Sequence, residues 1–199
     1  MKITEQATES IKNQILDAAF ERFGIYGYGK TTMAEIARDC DMSAGNLYRY
    51  YTNKTEIGAA CAERCMKTSE GLWRDILKQP GRSCSQRLEA FVLEKLHYLH
   101  KQFSQHPPLF ELVMVISRER RDLVSRHIAV QKSLIAEVLA QGNASGRFHV
   151  PNIAESADTI LAATTRFISP HFMEMFPLAQ LEREAKKVVK LLMKGLEKK

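Results

Sequence analysis

The chain has 199 residues, 45% of them hydrophobic and 26% charged, with 29 Lys/Arg against 23 Asp/Glu for a net charge of +6. A chain of this length buries roughly 70% of its unfolded surface, so it can hold a core without disulfides or a structural metal. With 10 Gly and 6 Pro it is neither collagen-like nor low-complexity, and its apolar share excludes wholesale disorder. The positive balance hints at a polyanionic partner but does not locate one. Residues 1–10 are polar and acidic, without the apolar run of a secretory signal. The longest apolar stretch, residues 112–116, is far too short to span a bilayer. Cys40, Cys61, Cys65 and Cys84 form no Cys-x-x-Cys pair and read as reduced thiols. The expectation is a cytoplasmic protein with no membrane partner.

Apolar residues recur at helical spacing almost throughout, and no segment alternates as a strand does. Ile11, Ile15, Ala19 and Phe23, widened by Leu16 and Phe20, predict a first helix ending at Gly24. After a glycine-punctuated turn at 25–30, Thr32 and Glu35 stand in capping-box spacing, where each side chain satisfies a free amide of a helix start. A short helix follows to Cys40, and Ser43 caps another that runs through Tyr51. The run from Asn53 to Glu56 starts a long helix with Ile57, Cys61, Cys65, Thr68, Leu72 and Ile76 on one face, stopped by Pro80-Gly81. Leu88, Val92, Leu96, Leu99 and Phe103 predict the next, which ends before His106-Pro107-Pro108. Residues 109–116 form a short, largely apolar helix. A charged corner at 118–122 leads into a helix carrying Leu123, Leu134, Ile135, Val138 and Leu139, broken at 142–146. Pro151-Asn152 opens a helix with Ala157, Ile160, Leu161, Thr164 and Ile168. Pro177 precedes the last, with Leu181, Ala185, Val188, Val189, Leu192 and Leu196. The fold class is all-α, with about nine helices.

Residues 31–54 carry the most information. A capped short helix, a tight turn and a second short helix is the layout of a helix-turn-helix, whose second helix enters the major groove of DNA. Ala37 is small enough for the two helices to pack closely. Ser43, Ala44, Gly45 and Asn46 open the second helix with short side chains, and an Asn amide can bond adenine bidentately. Tyr48, Tyr50 and Lys54 offer hydroxyls and an ammonium suited to phosphate oxygens.

At these residues the chain resembles the tetracycline-repressor (TetR) family of bacterial one-component transcriptional regulators. The likeness covers roughly residues 9–69, through the runs 31–37, 43–51 and 53–56, with Ala18-Ala19 and Phe23-Gly24 on the first helix. It implies an amino-terminal three-helix DNA-binding domain, residues 1–52, and a larger helical effector-binding and dimerisation domain, residues 53–199. It further implies a homodimer on a palindromic double-stranded operator, most simply a repressor released by a small-molecule effector. By position it puts Thr31 and Thr32 at phosphate, Met33 near the groove, Ser43, Ala44, Gly45 and Asn46 at base edges, and Tyr48, Tyr50 and Lys54 on the backbone. Two residues depart from the pattern. Asp41 stands where the turn commonly has glycine, and Asp tolerates a left-handed backbone better than most residues. Tyr51 replaces a usual Phe.

Other groupings are weaker. Gly24 to Gly29 follows a helix instead of a strand and does not match a nucleotide-binding loop. Cys61 and Cys65 share a helix face, which fits either a thiol or metal sensor or, as the commoner outcome, buried structural cysteine. His97 and His100 with Glu94 have metal-ligand spacing but no evident fourth ligand, so no resident metal or cofactor is implied. No catalytic constellation is present. An architectural, ligand-independent DNA binder and a helical-bundle enzyme remain the alternative classes. The stripes of the last two long helices, with Ile160, Leu161, Thr164, Ile168, Val188, Val189, Leu192 and Leu196, suggest a four-helix dimer interface. Trp73, Phe91, Tyr98, Phe103, Phe110, Met114 and Phe167 are candidate walls of an effector pocket. Residues 1–70 hold nine Lys/Arg against ten Asp/Glu and the remainder twenty against thirteen, so the net charge does not mark the DNA reader.

Overall fold

The computed structural model describes residues 2–197. Among them are ten α-helices and no β-strand: α1 (Lys2–Tyr26), α2 (Met33–Asp39), α3 (Ala44–Leu47), α4 (Lys54–Lys78), α5 (Cys84–Gln105), α6 (Leu109–Glu119), α7 (Arg121–Ala144), α8 (Ile153–Ile168), α9 (Pro170–Met175) and α10 (Leu178–Leu196). The tenth is α9, a six-residue helix with proline in its first turn, too short to show a periodic stripe. No helix among the described residues is long and apolar enough to cross a membrane.

The chain forms two compact units. The first contains residues up to 67 together with 105–124; the second contains 68–104 and 125 onward. The dividing point therefore falls inside α4, and α6 joins the amino-terminal helices instead of the carboxy-terminal ones.

The core of the first unit is built from the stripes legible in the sequence: Ile15, Ala19 and Phe23 of α1, Ile36 and Ala37 of α2, Leu47 of α3, Ile57 and Cys61 of α4, and Leu112 and Ile116 of α6. Gly58 sets the approach of α4, since a Cβ there would meet Leu112 Cδ1 at 3.0 Å and Tyr28 Cε2 at 3.1 Å. Burying six or seven such side chains at 1.5–3 kcal/mol each supplies on the order of 10–20 kcal/mol against chain entropy.

In the second unit, Trp73, Leu88, Phe91, Leu96, Ile135, Leu139, Ile160 and Leu181 belong to one continuous core. Gly142 was expected to end α7, yet the helix continues to Ala144. Its role is steric: the Phe148 ring lies against it, and a Cβ would fall 2.0 Å from Phe148 Cδ2. The returning chain is fixed by Asn143, whose side chain donates to the Val150 carbonyl (2.8 Å) and accepts from its amide (3.0 Å).

Helices α8 and α10 pack on one another within the chain. Ile160, Leu161, Thr164 and Val189 are buried within this chain, and Thr164 Oγ1 donates to the Ile160 carbonyl at 2.8 Å. These four residues pack the chain's own core. Ile168, Val188, Leu192 and Leu196 are half-buried against the same core.

Candidate nucleic-acid interface

The helix-turn-helix is assembled by caps and by a staple from α1. Thr32 is the N-cap of α2: its Oγ1 accepts from the Glu35 amide at 3.3 Å, while the Thr32 amide donates to Glu35 Oε2 at 2.8 Å. That reciprocal pair satisfies two donors a helix start leaves free. Hydrogen bonding to Thr32 and the charge of Arg22 hold the Glu35 carboxyl below its ordinary pKa. Arg22 on α1 binds both oxygens of Asp39 at 2.6 and 3.0 Å and lies 3.4 Å from Glu35, so one planar guanidinium ties both ends of α2 to α1.

The turn after α2 needs one left-handed residue. Asp41 supplies it at φ 55°, among the described residues the only non-glycine with positive φ. Ser43 then caps α3, its Oγ accepting from the Asn46 amide at 3.2 Å. Leu47 is buried beneath, anchoring α3 on α2.

Several predicted contact residues lie on the surface of this unit. Thr32, Ser43, Gly45 and Tyr48 are exposed, the last by 51%; Met33, Ala44, Asn46 and Tyr50 are half-buried. No hydrogen bond engages the Asn46 side-chain amide among the described residues, so both its donor and acceptor sides remain available.

Thr31 and Lys54 are placed differently from the rest. Thr31 is 1% exposed and its hydroxyl donates to the Gly27 carbonyl at 2.8 Å. Lys54 Nζ donates to the carbonyls of Tyr28 and Thr31, each at 2.7 Å, and sits 4.4 Å from the Tyr28 ring centroid. Burial lowers its pKa against the opposing pull of Glu111 and Glu35. Both side chains turn inward and hold the 27–31 loop, fixing where α2 begins. The sequence shows the turn at 25–30 but neither its anchoring by Lys54 nor the Arg22 staple; the signal for the staple is Arg22 standing one position from Phe23 on the helix that packs against α2.

The remaining groupings separate in space. His97 pairs with Glu182, His100 Nδ1 with Ser104 at 3.3 Å, and Glu94 with Arg82 at 2.9 Å. Burial pushes the Cys61 thiol up to about 12 and raises that of Cys65, which makes both poor nucleophiles. Of the expected pocket walls, Trp73, Phe91 and Phe167 belong to the core of the second unit, with Tyr98 and Phe103 half-buried on α5. Phe110 and the exposed Met114 lie on α6, in the first unit. A cleft of about 620 Å³ in the second unit is lined by Leu72, Trp73, Ile76, Glu94 and Tyr98.

An all-helical chain with a capped, stapled helix-turn-helix defines a class of regulator, and comparison with known proteins gives the family. Residues 15–61 match the model "Bacterial regulatory proteins, tetR family", and residues 84–189 match "Tetracyclin repressor-like, C-terminal domain". The chain belongs to the TetR family. Over 49 residues it is 39% identical to the HTH-type transcriptional regulator HbdR of Aromatoleum sp. (strain CIB), a match covering 25% of this chain and 21% of that protein. The likeness to this relative thus spans about a fifth of its length. Among solved structures, a TetR-family transcriptional regulator from Pectobacterium atrosepticum aligns with TM-score 0.74 and 15% identity, covering 98% of this chain and 97% of the other. The regulator FadR of Bacillus subtilis, solved in complex with stearoyl-CoA, aligns with TM-score 0.70 and 17% identity, covering 92% and 98%. At these identities the structural likenesses speak for the fold.

Proposed function

We propose that this chain is a DNA-binding transcriptional regulator, a repressor that grips a palindromic operator as a homodimer and releases it on binding a small molecule. The observation that carries the reading is the start of α3. A serine-capped helix presents Ser43, Ala44, Gly45 and an unengaged Asn46 amide, on a unit whose α2 is locked by Arg22 and whose entry loop is locked by Lys54. In this reading Thr32, Tyr48 and Tyr50 meet phosphate, Met33 lies near the groove, and Asn46 reads a base. Thr31 and Lys54 act as positioning residues behind them.

The second unit supplies pairing and response. Pairing uses the outward faces of α8 and α10, where Ala162, Ala163 and Leu191 are exposed. A ligand among α4, α5 and α7 of that unit acts through α4, which continues into the first unit. Half-sites recur at about 34–36 Å along DNA, so a change of a few ångströms in the spacing of two recognition helices breaks register at one of them. Ligand and operator then weaken each other by the same coupling free energy. The ligand-bound Bacillus subtilis structure supports a responsive second unit. Membership of a family of regulators supports a non-enzymatic, cytoplasmic role.

Selection of bound duplexes from a random pool tests the reading. An enriched inverted repeat is expected; a pool that stays random while binding falls steeply with salt points instead to an architectural binder.

A further inference from the structure

On α5 one charged residue shares the apolar stripe. Leu88, Phe91, Val92 and Leu96 face the core of the second unit, and Lys95 is buried with them, only 3% exposed. Its ammonium donates to Gln131 Oε1 on α7. It lies 4.2 Å from the Trp73 ring centroid and 5.4 Å from that of Phe91. An ammonium has three donors, and among the described residues this one finds a single oxygen acceptor and no carboxylate.

The neighbouring acid does not compensate it. Glu70 Oε1 is engaged by His127 Nδ1 at 2.6 Å, and the His127 ring stands 5.2 Å from that of Trp73. Burial, together with the Lys95 charge, lowers the pKa of His127 against the pull of Glu70. Burial alone brings the Lys95 pKa down to about 7. A cation held among two aromatic rings, an amide and an imidazole is costly for a fold to keep, and a methionine would fill the same space without the penalty. An anion beside the ammonium would offset that cost. The Gln131 amide NH2 carries no hydrogen bond among the described residues and offers that anion a second donor. Trp73 also lines a cleft with Leu72, Ile76 and Tyr98 and the charged Asp75, Lys78 and Glu94, so the ring that Lys95 contacts is shared with that cleft.

We propose that the second unit binds an apolar monocarboxylate, its carboxylate paired with the Lys95 ammonium and its hydrocarbon part against Trp73 and Phe91. The proposal rests on the reading of the chain as a ligand-responsive regulator and names the chemistry of the ligand. Lys95 is on α5, Gln131 and His127 are on α7, and Trp73 and Glu70 are on α4, so such a ligand draws on three helices, one of which continues into the DNA-reading unit.

The test is calorimetric titration of the full-length protein with 2-naphthoate and decanoate, each against its neutral amide, in wild type and Lys95→Met. In wild type at least one acid binds about tenfold or more tighter than its amide, the difference expected of a charge-assisted pair. Binding takes up protons near neutral pH, read from heats in buffers of different ionisation enthalpy, because the anion favours the charged lysine. The naphthyl and decyl arms tell a flat aromatic ligand from an acyl chain. Lys95→Met loses the preference for acid over amide while keeping its fold and its selected DNA. Should that variant fail to fold, Gln131→Leu gives the same readout, a weakened acid with an unchanged amide. The proposal is overturned if neither acid binds, if acid and amide bind equally in wild type, or if Lys95→Met retains the preference. Release of the operator by a neutral compound with both acids inert sinks this proposal and leaves the regulator reading standing. Acid binding in a protein that selects no operator does the reverse.

Discussion

Lys54 and Thr31 are tied together at the entry to α2. The Lys54 ammonium donates to the Thr31 carbonyl at 2.7 Å, and the Thr31 hydroxyl in turn donates to the Gly27 carbonyl at 2.8 Å. A lysine held by two loop carbonyls orders the module from within. Lys54→Ala is expected to cost about 1.5–3 kcal/mol of stability, the range for hydrogen bonds to a charged group. Operator affinity falls with it, but the slope of log affinity against log salt stays at the wild-type value. A slope reduced by about 0.9 would instead show a phosphate contact.

Asn46 should behave in the opposite way. With its amide unengaged at the start of α3, Asn46→Ala is expected to leave the melting temperature within error and change preference at one base pair of each half-site, by about 1–3 kcal/mol. Competition titration against operators varied one pair at a time reads this, and a uniform loss across all variants would reduce Asn46 to positioning the helix.

Asp41 holds the left-handed turn at φ 55°. A β-branched residue there meets the full steric penalty, so Asp41→Val should destabilise by about 1–2 kcal/mol, while Asp41→Gly should fold as well as wild type. Denaturant unfolding of the three proteins makes the comparison, and a Val variant as stable as wild type would contradict the turn geometry.

Arg22 and Asp39 give the first unit an acid-labile staple. The bond to Arg22 holds the Asp39 carboxyl below its ordinary pKa, and hydrogen bonding to Thr32 does the same for Glu35. A carboxyl lowered in the folded state stabilises at pH above its unfolded value, near 4, and that stability is lost as pH falls through the folded value. Thermal melts from pH 6 to pH 3 should therefore decline less steeply in Arg22→Met than in wild type, from a lower starting point. Parallel curves would remove the staple from the account.

The pairing proposed for α8 and α10 can be separated by mutation from their packing within the chain. Val189 is buried and Leu191 is 71% exposed. Val189→Asp puts a carboxylate into the core and should destabilise the chain by about 3 kcal/mol or more. Leu191→Asp should leave the fold intact and weaken the dimer in sedimentation. A Leu191→Asp protein that sediments as the wild type would move the interface elsewhere.

Much of this is legible in the sequence. The 3.6-residue periodicity of Ile15, Ala19 and Phe23 and the spacing of Thr32 and Glu35 depend only on local geometry, and both appear as expected. Local geometry does not decide which partner a stripe meets, and α8 and α10 show this. Ile160 and Val189 would make the same pattern facing a second copy or the chain's own core, and both are buried in that core. Lys54 turns inward because the 27–31 loop comes back to it in space, which spacing along the chain does not encode. Lys95 is different. It stands four residues after Phe91 and three after Val92, on an otherwise apolar stripe, so the signal of a buried charge was present in the sequence.

The central claim is that the face opened by Ser43 and Asn46 reads sequence. Its most direct measurement is the ratio of affinities for the selected inverted repeat and for a shuffled duplex of the same composition, at fixed near-physiological salt. A preference of about 10³ or more for the repeat is expected. A ratio near one, with both affinities falling together as salt rises, would contradict it.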